Sequence, residues 1–269
     1  MSLEKLIDQE VEKLELKTKK VLVYGDIHFP YHDEKALKIL YSYMKDYKPK
    51  VIVINGDVVD FYSLSDFNKN SDYFNLQKEI DLAREHFRMV RKLNPKAKIY
   101  FLEGNHSKRL QKYLWNHPEL EGLEYLSIPV LFDLDRYKIN YVSSEIDYWK
   151  KSSGYLDLGD VVVMHGDSRL NGASNSKYAG YSAKNTMMTI QKSVVMNHVH
   201  RLAIVSHYQY DKLMYGIEAG CLCQKVPTAN WQQGFVTFEL HKGKMVNPKL
   251  YYIFDGTMYA DGKTYKYKK

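Results

Sequence analysis

Hydrophobic and polar positions in the first third of the chain divide it into short apolar runs separated by helical segments. The apolar runs KKVLVYGD, KVIVINGD and AKIYFLEGNH each stop at a polar turn that contains glycine, as is typical of buried strands. Residues 33–47 predict a helix with an acidic start that ends before Pro49, and residues 75–93 predict a second helix that ends before Pro95. Strand, helix, strand, helix, strand in this order predicts a parallel sheet with covering helices.

The second half of the chain repeats this pattern less regularly. DVVVMHGD and SVVMNHVH predict two further strands, and residues 181–192 predict a helix between them. Four β-rich segments follow, namely RLAIVSH, KLMYGIEA, GFVTFEL and KLYYIF. The alternation in GFVTFEL predicts an antiparallel, half-exposed strand. Since no linker rich in Pro, Gly or Ser divides the chain, we expect one domain, over residues 18–257.

Two terminal segments are expected to flank this domain. Residues 1–17 predict an amphipathic helical extension that packs on the domain or on a second subunit, which leaves a homodimer open. Its apolar positions lie on one helical face: Leu3, Leu6, Ile7, Val11 and Leu14. Residues 258–269 are rich in Lys and Tyr and are expected to form a C-terminal tail.

Composition narrows the class of protein. The 269 residues are 45% hydrophobic and 26% charged, which is the balance of a soluble globular protein. No apolar run is long enough to span a bilayer, and the charged N-terminus has no apolar signal region, so we expect a cytoplasmic protein with no membrane partner. Cys221 and Cys223 are too close in sequence to pair readily and are expected to be reduced. The net charge of +7 suits polyanionic partners such as nucleotides or nucleic acid.

Five of the predicted strands end in polar residues that can bind metal ions. VLVYGDIH, VIVINGDVVD and IYFLEGNH come from the first half, and VVVMHGD and VVMNHVH from the second. The carboxyl ends of parallel strands share one edge of a sheet, where ligands bind. Asp-x-His and His-x-His place both residues on the same side of a strand. These residues should therefore converge in space.

The chemistry of these residues indicates two metal ions. Asp, Asn and His offer oxygen and imidazole ligands, which suit Mn²⁺, Fe, Zn²⁺, Ni²⁺ or Mg²⁺ better than a sulfur site would. A carboxylate can bridge metals about 3.5–4 Å apart, the spacing of two-metal phosphatases and nucleases. Any one of these residues alone would be a turn or core residue, but five strand ends in this order favour a metal site.

The ordered set GDIH, GDVVD, GNH, HG and HVH resembles the calcineurin-like metallophosphoesterases, by motif over residues 20–201 and by strand pattern to about residue 255. The resemblance implies an α/β fold of four layers, an αββα sandwich in which helices flank two mixed β-sheets. It also implies two divalent metal ions, with Mn²⁺ the first expectation. The implied ligands are Asp26, His28 and His200 for the first metal, Asn105, His165 and His198 for the second, and Asp57 as the bridge.

The resemblance also implies catalytic roles. A hydroxide that bridges the metals attacks phosphorus in line, and His106 donates a proton to the leaving group. Asp60 orients or charges that histidine, with a surface or helix-start carboxylate as the alternative. Arg109 contacts phosphate or caps a helix. The chain departs from the family pattern at Ser107, where an acidic residue is common, and at Asn197, where glycine is common.

Substrate choice is expected to depend on loops. Residues 61–75, 169–185 and 229–234 are polar and aromatic, and they carry Arg169, Lys177, Lys184 and Trp231. Cationic and aromatic residues together suit a phosphate plus a base. We therefore predict a metal-dependent phosphodiesterase that acts on nucleic acid or on nucleotides, including cyclic ones.

Two alternatives remain open. The first is a phosphomonoesterase or protein phosphatase, of which the protein phosphatase is disfavoured, because Phe61-Tyr62 follows Asp60 where the phosphatase motif continues with Arg-Gly. A catalytically inactive metal-binding subunit that serves in protein interaction is disfavoured as well, because all seven ligand positions and His106 are present.

Overall fold

The computed structural model describes residues 16–65, 75–143, 154–167 and 176–268. Residues 1–15 of the expected N-terminal extension lie outside this part. The helices are α1 (Glu34–Tyr47), α2 (Leu76–Leu93), α3 (Lys108–Trp115), α4 (Ile128–Leu131) and α5 (Tyr181–Ile190). The strands are β1 (Lys19–Tyr24), β2 (Val51–Asn55), β3 (Lys98–Leu102), β4 (Ile139–Val142), β5 (Tyr155–Asp157), β6 (Val161–Met164), β7 (Ser193–Met196), β8 (Leu202–Gln209), β9 (Lys212–Ala219), β10 (Gly234–His241), β11 (Lys244–Tyr252), β12 (Thr257–Ala260) and β13 (Lys263–Lys266).

Two mixed sheets form the centre of the molecule. Sheet one has the order β11-β10-β1-β2-β3-β4, and sheet two has the order β5-β6-β7-β9-β8. Within sheet one, β1 to β4 are parallel, whereas β10 is antiparallel to both of its neighbours. Within sheet two, β6, β7 and β9 are parallel, and the edge strands β5 and β8 are antiparallel.

The apolar strands are buried on both faces. In β1, Val21 and Val23 pack between the two sheets, whereas Leu22 and Tyr24 point to the opposite face, toward the helices α1 and α2. Alternate residues of a strand point to opposite faces, so a strand covered on both sides needs a continuous apolar run. This double burial explains why the runs in the sequence do not alternate.

The second sheet is covered in the same way on its outer face. Val163 and Val195 pack between the sheets, whereas Met164 and Met196 pack with Met187 of α5. The layers are therefore α1 and α2, sheet one, sheet two, and α5. The expected four-layer αββα sandwich with two mixed sheets is confirmed.

Capping residues set the ends of the two long helices. The Asp33 side chain accepts a hydrogen bond from the Ala36 backbone N–H at 3.0 Å, and α1 ends at Lys48, which adopts a left-handed φ of 51°. The Asn75 side chain accepts from the Lys78 backbone N–H at 2.9 Å. Both predicted helices therefore begin and end within one residue of their expected bounds.

The expectation of a half-exposed strand at GFVTFEL is wrong in one respect. This segment forms β10, which is antiparallel as expected, but its residues Gly234 to Phe238 are all buried. The reason is its place in sheet one between β1 and β11, where helices cover one face and sheet two covers the other.

The expected C-terminal tail is a hairpin over most of its length. Strands β12 and β13 pair across a turn at Asp261 and Gly262, whose φ values are 49° and 76°. An Asp-Gly pair favours this turn because both residues tolerate positive φ. Met258 is fully buried and the Tyr265 ring lies 5.7 Å from that of Tyr43 on α1. Within the described ranges, no helix combines the length and apolar character needed to cross a bilayer.

Candidate metal centre

The carboxyl ends of five strands meet at one edge of the two sheets. His165 follows β6 directly, and its Nε2 lies 3.1 Å from Asp57 Oδ2, beyond β2, and 3.0 Å from Asn105 Oδ1, beyond β3. His198, beyond β7, places Nδ1 2.9 Å from the same Asn105 oxygen. The three residues predicted for the second metal are therefore brought together with the predicted bridge.

The residues predicted for the first metal form an adjacent group. His28 Nε2 lies 3.1 Å from His200 Nε2, which lies 3.5 Å from Asp26 Oδ2. One ligand atom from each of these residues lies within 4.8 Å of the others, and the same holds for Asp57, His165 and His198. His28 Nε2 is 4.0 Å from Asp57 Oδ2. Asp57 therefore lies beside both groups, as a bridging ligand must.

Left-handed backbone conformations aim these side chains. Five of the seven predicted ligands have positive φ: Asp26 (50°), His28 (52°), Asp57 (44°), His198 (67°) and His200 (57°). Such conformations are uncommon outside glycine and persist where the surrounding structure enforces them. Here the backbone N–H groups of Ile27 and His28 both donate to the Asp57 carbonyl at 3.0 Å. Clustered strain of this kind is typical of functional sites.

Glycines beside the ligands allow the strand ends to approach closely. A Cβ atom on Gly56 would lie 2.2 Å from His165 Nδ1, and one on Gly104 would lie 2.1 Å from Asp57 Oδ1. Neither distance is compatible with a side chain. The glycines of the Gly-Asp and Gly-Asn pairs are therefore required by close packing as well as by the backbone conformation of the turn.

The buried carboxylate of Asp26 is the observation that fits a metal ion best. Asp26 is fully buried, and neither of its carboxylate oxygens has a hydrogen-bond partner. Burial raises the pKa of Asp26 well above its usual value, although the neighbouring His165 opposes this shift. A buried carboxylate without hydrogen bonds is strongly unfavourable unless a cation accompanies it. Together with the imidazole and amide donors, it suits divalent cations.

Asn55 sets the orientation of His165. His165 Nδ1 lies 3.0 Å from the Asn55 carbonyl oxygen and donates to it, which directs Nε2 toward Asp57. This is the outer hydrogen bond that metal-binding histidines usually make. Burial lowers the pKa of His165, but the charge and hydrogen bond of Asp57, together with the charge of Asp26, outweigh burial and raise that pKa to about 10. Burial and the charge of His165 lower the pKa of His198 to about 4.

Asp60 links the predicted proton donor to the first-metal group. Its Oδ2 lies 3.2 Å from His28 Nδ1 and 3.4 Å from His106 Nδ1, and its backbone oxygen lies 2.9 Å from His106 Nδ1. Arg109 Nη1 donates to Asp60 Oδ1 at 3.0 Å and to its carbonyl at 2.8 Å. Asp60 thus contacts both histidines and caps no helix. Arg109 contacts Asp60, and its Nη2 lies 3.3 Å from His106 Nε2.

Asp60 and His106 shift each other's pKa in opposite directions. Burial lowers the pKa of His106, but the hydrogen bond with Asp60 and the charges of Asp57 and Asp60 raise it overall. Burial opposes ionisation of Asp60, yet its bonds to His106 and His28 hold its pKa below the usual value. With Nδ1 anchored by Asp60, His106 Nε2 lies 3.9 Å from Asp57 Oδ2.

Three residues near the centre were not expected from the sequence. Asn55 precedes the Gly-Asp motif, and its role depends on a contact with β6, which adjacency in sequence does not reveal. Glu79 on α2 is buried and accepts a hydrogen bond from the Phe61 backbone N–H, and burial raises its pKa to about 7. Cys223 Sγ lies 3.8 Å from His200 Nδ1. The one signal for Glu79 in the sequence is its place in the polar first turn of the predicted helix, at a position that the helical pattern buries.

Asn197, one of the two departures from the family pattern, is a structural residue. It is fully buried, its Oδ1 accepts from Asn55 Nδ2 at 2.8 Å, and its Nδ2 donates to the Gly220 carbonyl at 2.9 Å. Asn55 Nδ2 also donates to the Met164 carbonyl. The other departure, Ser107, is buried just before α3.

A cavity of about 590 Å³ opens onto this centre. Five predicted ligands and His106 line it, and the remaining lining residues are Tyr31, Asp60, Tyr62, Cys223, Gln224, Lys225, Val226 and Trp231. Two of the three loops predicted to choose the substrate therefore contribute, through Tyr62 and Trp231. Residues 66–74 and 169–175 of these loops lie outside the described residues, and residues 176–185 do not line the cavity.

Similarity to known proteins identifies the family to which this chain belongs. The calcineurin-like phosphoesterase family matches residues 19–214. The chain belongs to this family. It is 28% identical over 272 residues to the gene 54 protein of Mycobacterium phage L5, covering 93% of this chain and 99% of that one. It is 26% identical over 265 residues to the gene 54 protein of Mycobacterium phage D29, with the same coverage of 93% and 99%.

Among solved structures, a metallophosphoesterase from Sphaerobacter thermophilus is similar with a TM-score of 0.45 and 17% identity, covering 86% of this chain and 87% of that one. Membership of the calcineurin-like phosphoesterase family supports metal-dependent hydrolysis of phosphoesters. The Asp and His groups suit a binuclear centre of divalent metals.

Proposed function

We propose that this calcineurin-like phosphoesterase hydrolyses phosphodiesters of nucleic acid or of nucleotides, cyclic nucleotides included. The observation that carries this proposal is the cavity of about 590 Å³. Predicted metal ligands and a histidine with an anchored Nδ1 share this cavity with aromatic side chains. Asp26, His28 and His200 would hold one metal, Asn105, His165 and His198 the other, and Asp57 both.

Two divalent ions, when bound, lower the pKa of water and stabilise negative charge on phosphoryl oxygens. The protein supplies the proton for the leaving oxygen. His106 presents Nε2 to the cavity, and Asp60 holds its Nδ1. The acidic neighbours raise the pKa of His106, which favours the protonated form that a general acid needs. Arg109 keeps the Asp60 carboxylate in place.

The charge of the cavity wall favours a diester over a monoester. Among the described residues that line the cavity, Lys225 is the one lysine or arginine. The guanidinium of Arg109 is held by Asp60. A diester carries a single negative charge, whereas a monoester carries up to two and would gain more from additional cations.

The protein phosphatase alternative lacks its arginine. Phe61 occupies the position after Asp60, is fully buried and stacks on Phe132 with 6.2 Å between ring centroids. A charged side chain does not suit that position. The alternative of an inactive interaction subunit does not explain why all seven ligand positions and His106 converge.

Product analysis tests this function. The protein is incubated with Mn²⁺ and linear DNA, RNA, cyclic mono- and dinucleotides, nucleoside monophosphates or a phosphopeptide, and the products are separated by chromatography. We expect nucleotide products from the diesters and their loss in Asp57→Asn, because that substitution weakens the bridge between both metals. Asp135→Asn, an exposed aspartate, is the matched control and should behave as the wild type.

Two results would contradict the proposal. Release of phosphate from monoesters while the diesters stay intact would favour the phosphomonoesterase. Hydrolysis that is unchanged in Asp57→Asn would show that the centre is placed wrongly.

A further inference from the structure

Trp231 lies directly beside the proposed metal centre. Its ring centroid is 4.2 Å from that of His200, with 67° between the ring planes. The side chain is half-buried and lines the same cavity as His28, Asp57 and His106. A phosphoester bound at this centre would therefore lie close to the indole.

The loop that carries Trp231 is fixed on its C-terminal side. The Gln232 backbone N–H donates to the His200 carbonyl at 2.8 Å, and the Gln232 side chain accepts from the Leu202 backbone N–H at 2.7 Å. Gln233 Nε2 donates to Asp33 Oδ2 at 3.0 Å and to the Cys223 carbonyl at 2.8 Å. These bonds hold the loop against β8 and the start of α1, so the backbone next to the indole is fixed before any ligand binds. A preorganised aromatic side chain loses little entropy on binding.

The size and charge of the cavity suit one nucleotide rather than a strand. About 590 Å³ is within the range of small-molecule sites. Proteins that bind polymeric nucleic acid place several cations along the backbone. Here Lys225 is the one lysine or arginine among the described lining residues, and its Nζ lies 4.9 Å from the centroid of the Phe254 ring.

We propose that Trp231 is the stacking platform for a nucleobase, and that the preferred substrate is a small nucleotide diester whose base lies on this indole. The inference rests on the proposed phosphodiesterase function and adds to it the recognition of the base. Base–aromatic stacking does not depend on base identity, so all four bases should be accepted.

Paired inhibitors that differ only in the base test this proposal. AMP and ribose 5-phosphate compete with bis(p-nitrophenyl) phosphate in the presence of Mn²⁺, and the ratio of their inhibition constants reports the contribution of the base. For the wild type we expect AMP to inhibit about 5- to 150-fold more strongly, which is the range that stacking gives. Trp231→Ala should bring the ratio close to one, and Trp231→Phe should keep part of it.

A matched control separates stacking from general effects of losing a tryptophan. Trp115 is 48% exposed on α3 and does not line the site cavity. Trp115→Ala should therefore keep the wild-type ratio. Equal inhibition by both compounds in the wild type, or an unchanged ratio in Trp231→Ala, would overturn the proposal.

The same assay separates this inference from the proposed function. Hydrolysis that depends on Asp57, together with a ratio of one, would leave the diesterase standing and remove the base platform. If no diester is cleaved, the platform is tested by quenching of Trp231 fluorescence by AMP in a Trp115→Phe, Trp149→Phe background. Quenching by AMP but not by ribose 5-phosphate would support it, and equal signals would overturn it. A higher kcat/KM for duplex DNA than for dinucleotides would overturn the preference for small substrates.

Discussion

At the scale of single residues, the pair formed by His106 and Asp60 decides how the proposed proton donor titrates. Burial lowers the pKa of His106, and the hydrogen bond and charge of Asp60, with the charge of Asp57, more than offset this effect. A general acid works in its protonated form, so activity falls as pH rises through the pKa of His106. The raised pKa therefore extends activity to higher pH.

Asp60→Asn should move this alkaline limb to lower pH. The substitution removes the carboxylate whose hydrogen bond and charge raise the pKa of His106. The measurement is kcat/KM against pH with saturating Mn²⁺ and bound metal quantified in each variant, since Asp60 also contacts His28. His106→Asn, as the reference, should lose the limb and about 10²–10⁴-fold of activity. A limb that stays in place in Asp60→Asn would separate Asp60 from the proton donor.

The sequence indicated which residues lie at the centre better than it indicated how they are held. The predicted ligands could be recognised because each follows an apolar run at a strand end, and strand ends converge in this fold. For Asp60 the sequence left two alternatives open, a contact with the histidine or a helix cap, because a carboxylate three residues after Asp57 suits both. The structure shows contacts with His28 and His106. The contact between Asn55 and His165 joins two sheets, and no local pattern records it.

At the scale of elements, Asn197 connects the ends of three strands. It bonds to Asn55 at the end of β2 and to Gly220 after β9, and it lies between β7 and His198. Asn197→Ala would leave the buried Gly220 carbonyl without this donor and remove one bond of Asn55 Nδ2. Buried polar groups left without partners are destabilising by about 1–3 kcal/mol each.

We therefore expect Asn197→Ala to lower the free energy of unfolding by about 2–3 kcal/mol. Urea unfolding in the presence of a chelator measures this difference without a contribution from bound metal. Asn116→Ala, at the exposed end of α3, should change stability by less than about 0.5 kcal/mol. Equal stability of the two variants would show that the Asn197 bonds contribute little.

The elements that sequence patterns predicted are the long ones. The two long helices and the apolar strands agree with their expected bounds because burial on both faces, or on one helical face, leaves a strong pattern. The strands β4 and β5, of four and three residues, are too short to show a period. The hairpin of β12 and β13 was concealed by its lysines and by Tyr259, which lie on its exposed positions, while Met258 and Ala260 are buried.

At the scale of the whole molecule, the centre joins the two sheets. Asp26, His28, Asp57 and Asn105 follow strands of sheet one, whereas His165, His198 and His200 follow strands of sheet two. A ligand that binds the folded state alone stabilises it by an amount set by its concentration and affinity, about 2.7 kcal/mol at 100 times Kd. Metal binding should therefore stabilise the packing of the sheets against each other.

Asp26→Asn should be more stable than the wild type when metal is absent, and this order should reverse when metal is bound. In the metal-free protein the Asp26 carboxylate is buried without hydrogen bonds, and burial raises its pKa above the unfolded value of about 3.9. The folded state then binds more protons than the unfolded state, so Asp26 lowers stability as pH rises from about 4 through its folded pKa. Asparagine carries no charge and avoids this loss.

With a chelator at pH 8, urea unfolding should therefore find Asp26→Asn more stable than the wild type, and the difference should shrink as pH falls toward about 4. With Mn²⁺ the wild type should gain more stability than the variant, because the carboxylate then neutralises a cation that asparagine does not. The exposed Asp135→Asn should follow the wild type in both conditions. A variant that is less stable than the wild type in chelator, or that gains as much from Mn²⁺, would mean that Asp26 is not held for a metal. The reversal would show that the buried Asp26 carboxylate destabilises the metal-free fold. It would also show that metal binding between the two sheets offsets this destabilisation.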